Sequence, residues 1–241
     1  MRIFAIGDLH LSHAKPKPMS VFGEHWREHE RKIAENWAAL ACPDDLLIVA
    51  GDISWAIRLE EARPDLEYIA RLPGRKIIIR GNHDYWWSTK KKIKETAGPS
   101  IEVLQADSVI IEGVAIVGTR GWQCPGSESS ADMMVEGARR GYTEEDQKIY
   151  EREVGRLKLA LDSLRGKQYE RLIAVLHYPP VNSLHEPSGF TDLIEAHGAE
   201  ACIYGHLHGE AIKTAFNETR NGVRYQLVSA DSVDFTPLQI F

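Results

Sequence analysis

RKIIIRGNHDYWW, residues 75–87, starts as an interior strand of a sheet and ends as a cluster of polar functional groups. Ile77, Ile78 and Ile79 form the short β-branched run expected of a strand covered on both faces. The run stops at Gly81, where Asn82, His83 and Asp84 supply an amide, an imidazole and a carboxylate, with Tyr85, Trp86 and Trp87 behind them. The same arrangement recurs along the chain. RIFAI (2–6) leads into Gly7, Asp8, Leu9 and His10, and LLIVA (46–50) into Gly51 and Asp52. RLIAVL (171–176) meets His177, and CIY (202–204) meets Gly205, His206, Leu207 and His208.

Amphipathic stretches separate these strands. Trp26, Ile33, Trp37 and Leu40 recur at helical spacing between Glu24 and Ala41, and Leu59, Ala62, Leu66 and Ile69 do so within 58–72. The order is βαβαβ, which predicts a largely parallel inner sheet. A helix is expected near 86–97, then a strand at IEVLQ (101–105) and a hairpin in SVIIEGVAIVG (108–118) turning at Glu112-Gly113. Residues 123–141, polar and rich in Gly and Ser, read as a long surface loop or lid. The charged segment from Thr143 to Leu164 reads as a helix packed through Val154, Leu157 and Leu161, and the tail carries two strands around Asn221-Gly222. In parallel α/β sheets ligands bind beyond the carboxyl ends of the strands, so the polar strand ends should converge on one crevice. Left unpaired there, each buried polar group would cost roughly 1–3 kcal/mol, and divalent cations satisfy such mixed N/O sets.

A chain of 241 residues with 43% hydrophobic content supports a sizeable core, and its length fits one domain over 1–241. The net charge of −6 gives no general attraction to polyanions, so bulk nucleic-acid binding is not expected. Cys42, Cys124 and Cys202 lie far apart and outside any CxxC spacing, which fits reduced thiols. No apolar run approaches the ~20 residues of a membrane span, and the stretch before Asp8 is too short for a signal peptide. The expectation is a cytoplasmic protein with no membrane association.

Taken in order, DLH at 8–10, GD at 51–52, GNHD at 81–84, the lone His177 and GHLH at 205–208 resemble the signature of the calcineurin-like metallophosphoesterases. The resemblance implies an α/β fold, a four-layer α/β/β/α sandwich of two mixed β-sheets flanked by helices, in agreement with the element order above. Carried over by motif, it implies one metal held by Asp8, His10 and His208, a second held by Asn82, His177 and His206, and Asp52 bridging both. It places His83 near the leaving-group oxygen as general acid or phosphate-binding imidazolium, oriented by Asp84. The implied cofactors are two divalent transition-metal ions, and a ligand set without thiolates admits manganese, iron or zinc.

Two such ions roughly 3.5–4 Å apart lower the pKa of a bridging water. The resemblance therefore implies hydrolysis of a phosphomonoester or phosphodiester by a metal-bridging hydroxide, in a site left cationic by its neutral His and Asn ligands. One departure matters. Many members follow GD with an Asp-Arg pair two residues on, but this chain reads Gly51-Asp52-Ile53-Ser54-Trp55-Ala56. That disfavours a protein phosphatase and favours a small-molecule or nucleotide-derived phosphoester, with Arg58 or Arg120 as replacement phosphate contacts. Arg120, Tyr85, Trp86 and Tyr178 are the substrate-contact candidates. Lys90, Lys91, Lys92 and Lys94 read as a solvated helix face. The alternative function is a non-catalytic binding or scaffold module of the same fold, whose usual mark is a missing ligand or catalytic histidine. Here every position is filled. A mononuclear zinc amidohydrolase also uses HxH but leaves Asn82 unexplained. Oligomeric state is not encoded in these patterns.

Overall fold

The computed structural model describes residues 1–126 and 141–241. Strands β1 (Ile3–Ile6), β2 (Leu46–Val49), β3 (Arg75–Ile78) and β4 (Ile101–Val103) lie parallel in that order, and β11 (Leu238–Gln239) pairs antiparallel on the outer side of β1. A second sheet contains β5 (Asp107–Ile111), β6 (Val114–Thr119), β7 (Arg171–Leu176), β8 (Ala201–Tyr204), β10 (Val223–Leu227) and β9 (Thr219–Arg220), in that spatial order. Its central strands β6, β7, β8 and β10 are parallel, while the edge strands β5 and β9 are antiparallel.

Strand alternation explains how the sheets stack. Ile77 and Ile79 belong to the core between the sheets, whereas Ile78 faces the helices, so the isoleucine run is covered on both sides. Ile3, Ala5 and Ile48 from the first sheet pack there against Ile116, Ile173 and Ile203 from the second. Each of these isoleucines contributes roughly 1.5–3 kcal/mol by leaving water. Helices α1 (His29–Leu40), α2 (Leu59–Arg71) and α3 (Lys90–Ala97) cover the outer face of the first sheet through Ile33, Trp37, Leu66, Ile69 and Ile93. Helices α4 (Glu144–Asp162) and α5 (Gly189–Ala196) cover the second through Leu157, Leu161, Phe190 and Ile194. The result is the four-layer α/β/β/α sandwich.

Both expected hairpins form with the backbone their sequences call for. Glu112 and Gly113 have φ of 48° and 80°, and Asn221 and Gly222 have φ of 49° and 83°, the paired positive values of a type I′ turn. Other boundaries moved. The helix expected from Glu24 begins only at His29, because a 3-10 turn over Glu24–Trp26 and a left-handed Glu28 (φ 54°) carry the Trp26 ring to the site described below. The helix expected near 86 begins at Lys90, since Tyr85 and Trp87 close a turn by donating to the His83 and Asp84 carbonyls. Helix α5 was not read from the sequence; its eight residues are too few to show a period, and it is fixed by the Ser188 hydroxyl accepting from the Phe190 and Thr191 N–H groups. Of the suspected lid at 123–141, residues 127–140 lie outside the described residues. No helix among the described residues is long and apolar enough to cross a membrane.

Candidate metal centre

The polar strand ends of both sheets meet. Asp8 and His10 follow β1, Asp52 follows β2, and Asn82, His83 and Asp84 follow β3. His177 follows β7 from the other sheet, and His206 and His208 follow β8. Ligand atoms of Asp8, His10 and His208 lie within 4.8 Å of one another, as do those of Asp8, Asp52 and His177. Asn82 Oδ1 sits 2.6 Å from His177 Nε2 and 2.9 Å from His206 Nδ1, and His177 Nε2 is 3.5 Å from Asp52 Oδ2. The seven residues implied as ligands are thus brought together.

Local backbone makes this possible. Asp8 (φ 57°), His10 (46°), Asp52 (49°) and His206 (76°) all adopt the left-handed conformation. For a residue with a Cβ that costs of order 1–2 kcal/mol, and it is held here by cross-strand bonds: Asp8 N–H to the Gly51 carbonyl at 2.9 Å and His10 N–H to the Asp52 carbonyl at 3.0 Å. The turns also demand close approach. A Cβ on Gly81 would overlap the Asp52 carboxylate, and one on Gly205 would overlap that of Asp8. These glycines are required by contact with a ligand rather than by φ.

The electrostatics point to cations. Asp8 and Asp52 are buried, and among the described residues neither pairs with Lys or Arg. Burial pushes the Asp8 carboxyl up, but the hydrogen bond and charge of His208, with His177 and His10, hold it well below the usual range. Asp52 is raised, chiefly by burial. His10 is driven far down, first by burial and then by the charge of His208. It is 0% exposed, yet among the described residues neither ring nitrogen has a hydrogen-bond partner. A histidine left so costs several kcal/mol unless a cation takes its lone pair. His177 gives the same indication. Its Nδ1 lies 3.0 Å from the Ala50 carbonyl; with the N–H there, Nε2 turns a lone pair toward the Asn82 oxygen, and the two acceptors need a shared cation. The donors are N and O only, so the residues present fit transition or other divalent ions without selecting one.

A profile of the calcineurin-like phosphoesterases matches residues 1–210. The chain belongs to the calcineurin-like phosphoesterase family. Within it, this phosphoesterase is 32% identical over 77 residues to the Gene 66 protein of Mycobacterium phage L5, covering 32% of this chain and 37% of that protein. It is 34% identical over 88 residues to the [acyl-carrier-protein] phosphodiesterase PptH of Mycobacterium tuberculosis, covering 36% of this chain and 22% of that one. The matches therefore span well under half the length of either relative. A solved structure, the protein of unknown function AQ665 from Aquifex aeolicus, superposes with a TM-score of 0.50 at 16% identity, over 99% of this chain and 95% of that one, and shares the fold.

The remaining candidates divide. The His83 ring is nearly buried, 4.0 Å from Asp52 Oδ2 and tilted against Trp55 at 4.6 Å, so it borders the centre. Asp84 accepts from the N–H groups of Gly81 (2.7 Å), Ile53 (2.9 Å) and Ser54 (3.1 Å) and from Trp86 Nε1 (3.0 Å); it holds the GNHD turn and positions His83 through the backbone. Burial first and the Asp52 charge second raise its carboxyl to about 6. Trp86, read as a cleft wall, is buried beneath that turn, whereas Tyr85 is exposed. Tyr178 packs on His206 with ring centroids 4.2 Å apart. Arg120 is mostly buried, stacked on Trp122 at 4.7 Å with Glu153 Oε1 3.9 Å away, and Arg58 is an exposed residue capping α2.

Two contributors, Asp231 and Trp26, escaped the sequence reading, and Trp55, close behind the Gly51-Asp52 motif, packs with them. Asp231 lies 2.7 Å from His208 Nδ1 and accepts from Gly209 N–H at 3.1 Å, fixing the His208 ring. It follows β10 in QLVSAD, the same strand-then-carboxylate pattern as the others, and could have been found by it. Trp26 meets the His10 and His208 rings edge-on at 6.0 and 5.6 Å. Trp55 stacks on His10 at 4.8 Å, with Lys17 Nζ 3.1 Å over its ring.

Proposed function

We propose that the chain is a dinuclear metal-dependent hydrolase of phosphomonoesters or phosphodiesters. The observation that carries this reading is that, among the described residues, a fully buried His10 has no hydrogen-bond partner on its ring and stands beside two buried carboxylates with no Lys or Arg partner. One site takes Asp8, His10 and His208; the other takes Asn82, His177 and His206; Asp52 lies between them. When bound, a pair of divalent ions supplies water of lowered pKa and a positive field for the phosphoryl oxygens. The chain's own residues do the rest. Asp231 and the Ala50 carbonyl orient His208 and His177, the strained turns hold Asp8 and Asp52, and His83 stands at the rim to give a proton to the leaving oxygen or to bind phosphate as imidazolium. Asp84 keeps it there. The 88-residue similarity to an acyl-carrier-protein phosphodiesterase supports including diesters of larger organic groups among the substrates.

The test is direct. Protein expressed with manganese is expected to retain two metal ions per chain by elemental analysis and to hydrolyse bis-p-nitrophenyl phosphate. Asp52→Asn should lose both properties. A wild-type protein that is folded, takes up no divalent ion and hydrolyses no mono- or diester would overturn the reading in favour of a binding module.

A further inference from the structure

Beside the candidate metal centre, on the His206 side, the surface dips into a pocket of about 190 Å³. His206 and Tyr178 belong to its lining, so the pocket and the centre share a wall. Val181, Leu207, Ala211 and Phe216 supply apolar surface. Among the described residues, no Asp, Glu, Lys or Arg lines it. Two of its polar members, Asn182 and His185, are engaged in building the wall. Asn182 donates to the Pro125 carbonyl at 2.9 Å and to Glu186 at 2.6 Å, and its carbonyl oxygen accepts from the Leu184 and Glu186 N–H groups. His185 is engaged by the Thr214 carbonyl at 2.9 Å and packs edge-on against Phe216 at 5.1 Å.

We infer that this pocket seats the uncharged organic group of the phosphoester, apolar or aromatic, and not a second phosphate of a nucleoside di- or triphosphate. The inference rests on the phosphoesterase reading above. A phosphoryl group held beside Asn82 and His206 places its ester substituent at the pocket mouth. A charged substituent would lose hydration there without meeting a countercharge, whereas an apolar one trades water for Leu207, Ala211 and Phe216. Specificity would thus be set on the His206 flank, by the turn over Gly209–Thr214 and the segment around 179–185.

Phosphonates, which cannot be hydrolysed at carbon, separate the two levels of the argument. With manganese-loaded protein, methylphosphonate binding measured by calorimetry reports the centre alone. Butyl- and phenylphosphonate are expected to bind at least about ten-fold more tightly than methylphosphonate, and phosphonoacetate no more tightly. Ala211→Phe, which fills the pocket, should erase the advantage of the longer probes and leave methylphosphonate affinity unchanged; Thr214→Trp, a rim substitution, serves as a second variant should the first fail to fold. Equal affinity for methyl-, butyl- and phenylphosphonate in the wild type, or an advantage that survives both substitutions, overturns the pocket while leaving the centre intact. Failure to bind even methylphosphonate overturns the phosphoesterase reading, and the pocket assignment with it.

Discussion

His208 faces a carboxylate on either side, Asp231 Oδ1 at 2.7 Å from Nδ1 and Asp8 Oδ1 at 3.4 Å from Nε2. Burial alone would depress its pKa, but the hydrogen bonds and charges of Asp231 and Asp8 raise it from 6.5 to about 10. The sign follows. In metal-free protein the raised pKa contributes stability that is full below pH 6.5 and is lost as pH rises through about 10. A cation needs the neutral ring, so its binding must expel that proton. Metal affinity is therefore expected to climb with pH across that window, with proton release visible as a dependence of the calorimetric enthalpy on buffer. Asp231→Ala should flatten this dependence and weaken metal retention roughly 10- to 100-fold, read by competition with a chelator. His83→Asn should keep both ions yet slow esters with poor leaving groups roughly 10²- to 10⁴-fold, and p-nitrophenyl esters far less. Normal turnover of the poor-leaving-group ester would remove His83 from the acid role. The seven residues that converge were legible because each stands at or just past the end of an apolar run. Trp26 was not, because which ring a tryptophan meets depends on a tertiary contact that sequence spacing does not contain.

At the level of elements, the strand-to-loop turns behave as parts cut to one size. Gly81→Ala drives a methyl group into the Asp52 carboxylate, so it is expected to lower the thermal midpoint and abolish metal uptake together. Gly98, whose added Cβ would meet nothing, is the control position for crowding, although its φ of 82° still leaves a cost in backbone strain. Helix α4 tests ordinary capping. Thr143 Oγ1 accepts from Asp146 N–H at 3.2 Å while the Asp146 carboxylate accepts from Thr143 N–H at 2.9 Å, and Thr143→Ala should cost about 1 kcal/mol in denaturant unfolding without touching activity. The strands and hairpins were readable from periodicity and from the Glu-Gly and Asn-Gly turns. Helix starts were less so. The chain around Glu24 to Glu28 has helical composition, but placing Trp26 against His10 and His208 requires a left-handed residue at Glu28, and that requirement overrides local preference.

Over the whole molecule, the first sheet draws β1 to β4 from residues before 104, and the second draws β5 to β10 from residues after 106. Among the implied ligands, Asp8, His10, Asp52 and Asn82 belong to the first group and His177, His206 and His208 to the second. Cation binding to the folded state alone should therefore raise the unfolding free energy, by about 2.7 kcal/mol per site when free metal is a hundred times its dissociation constant, and with it the unfolding midpoint, and a chelator should reverse both. Among the described residues, the only strand that crosses back is β11, at the far end of the chain, which returns to pair with β1. An interrupted gene encoding residues 1–105 and 106–241 as separate polypeptides would thus yield two fragments, each carrying an incomplete set of donors. Their complementation, already favoured by the apolar faces of the two sheets, would be tightened by divalent ions, making the protein a template for a metal-reported split reporter.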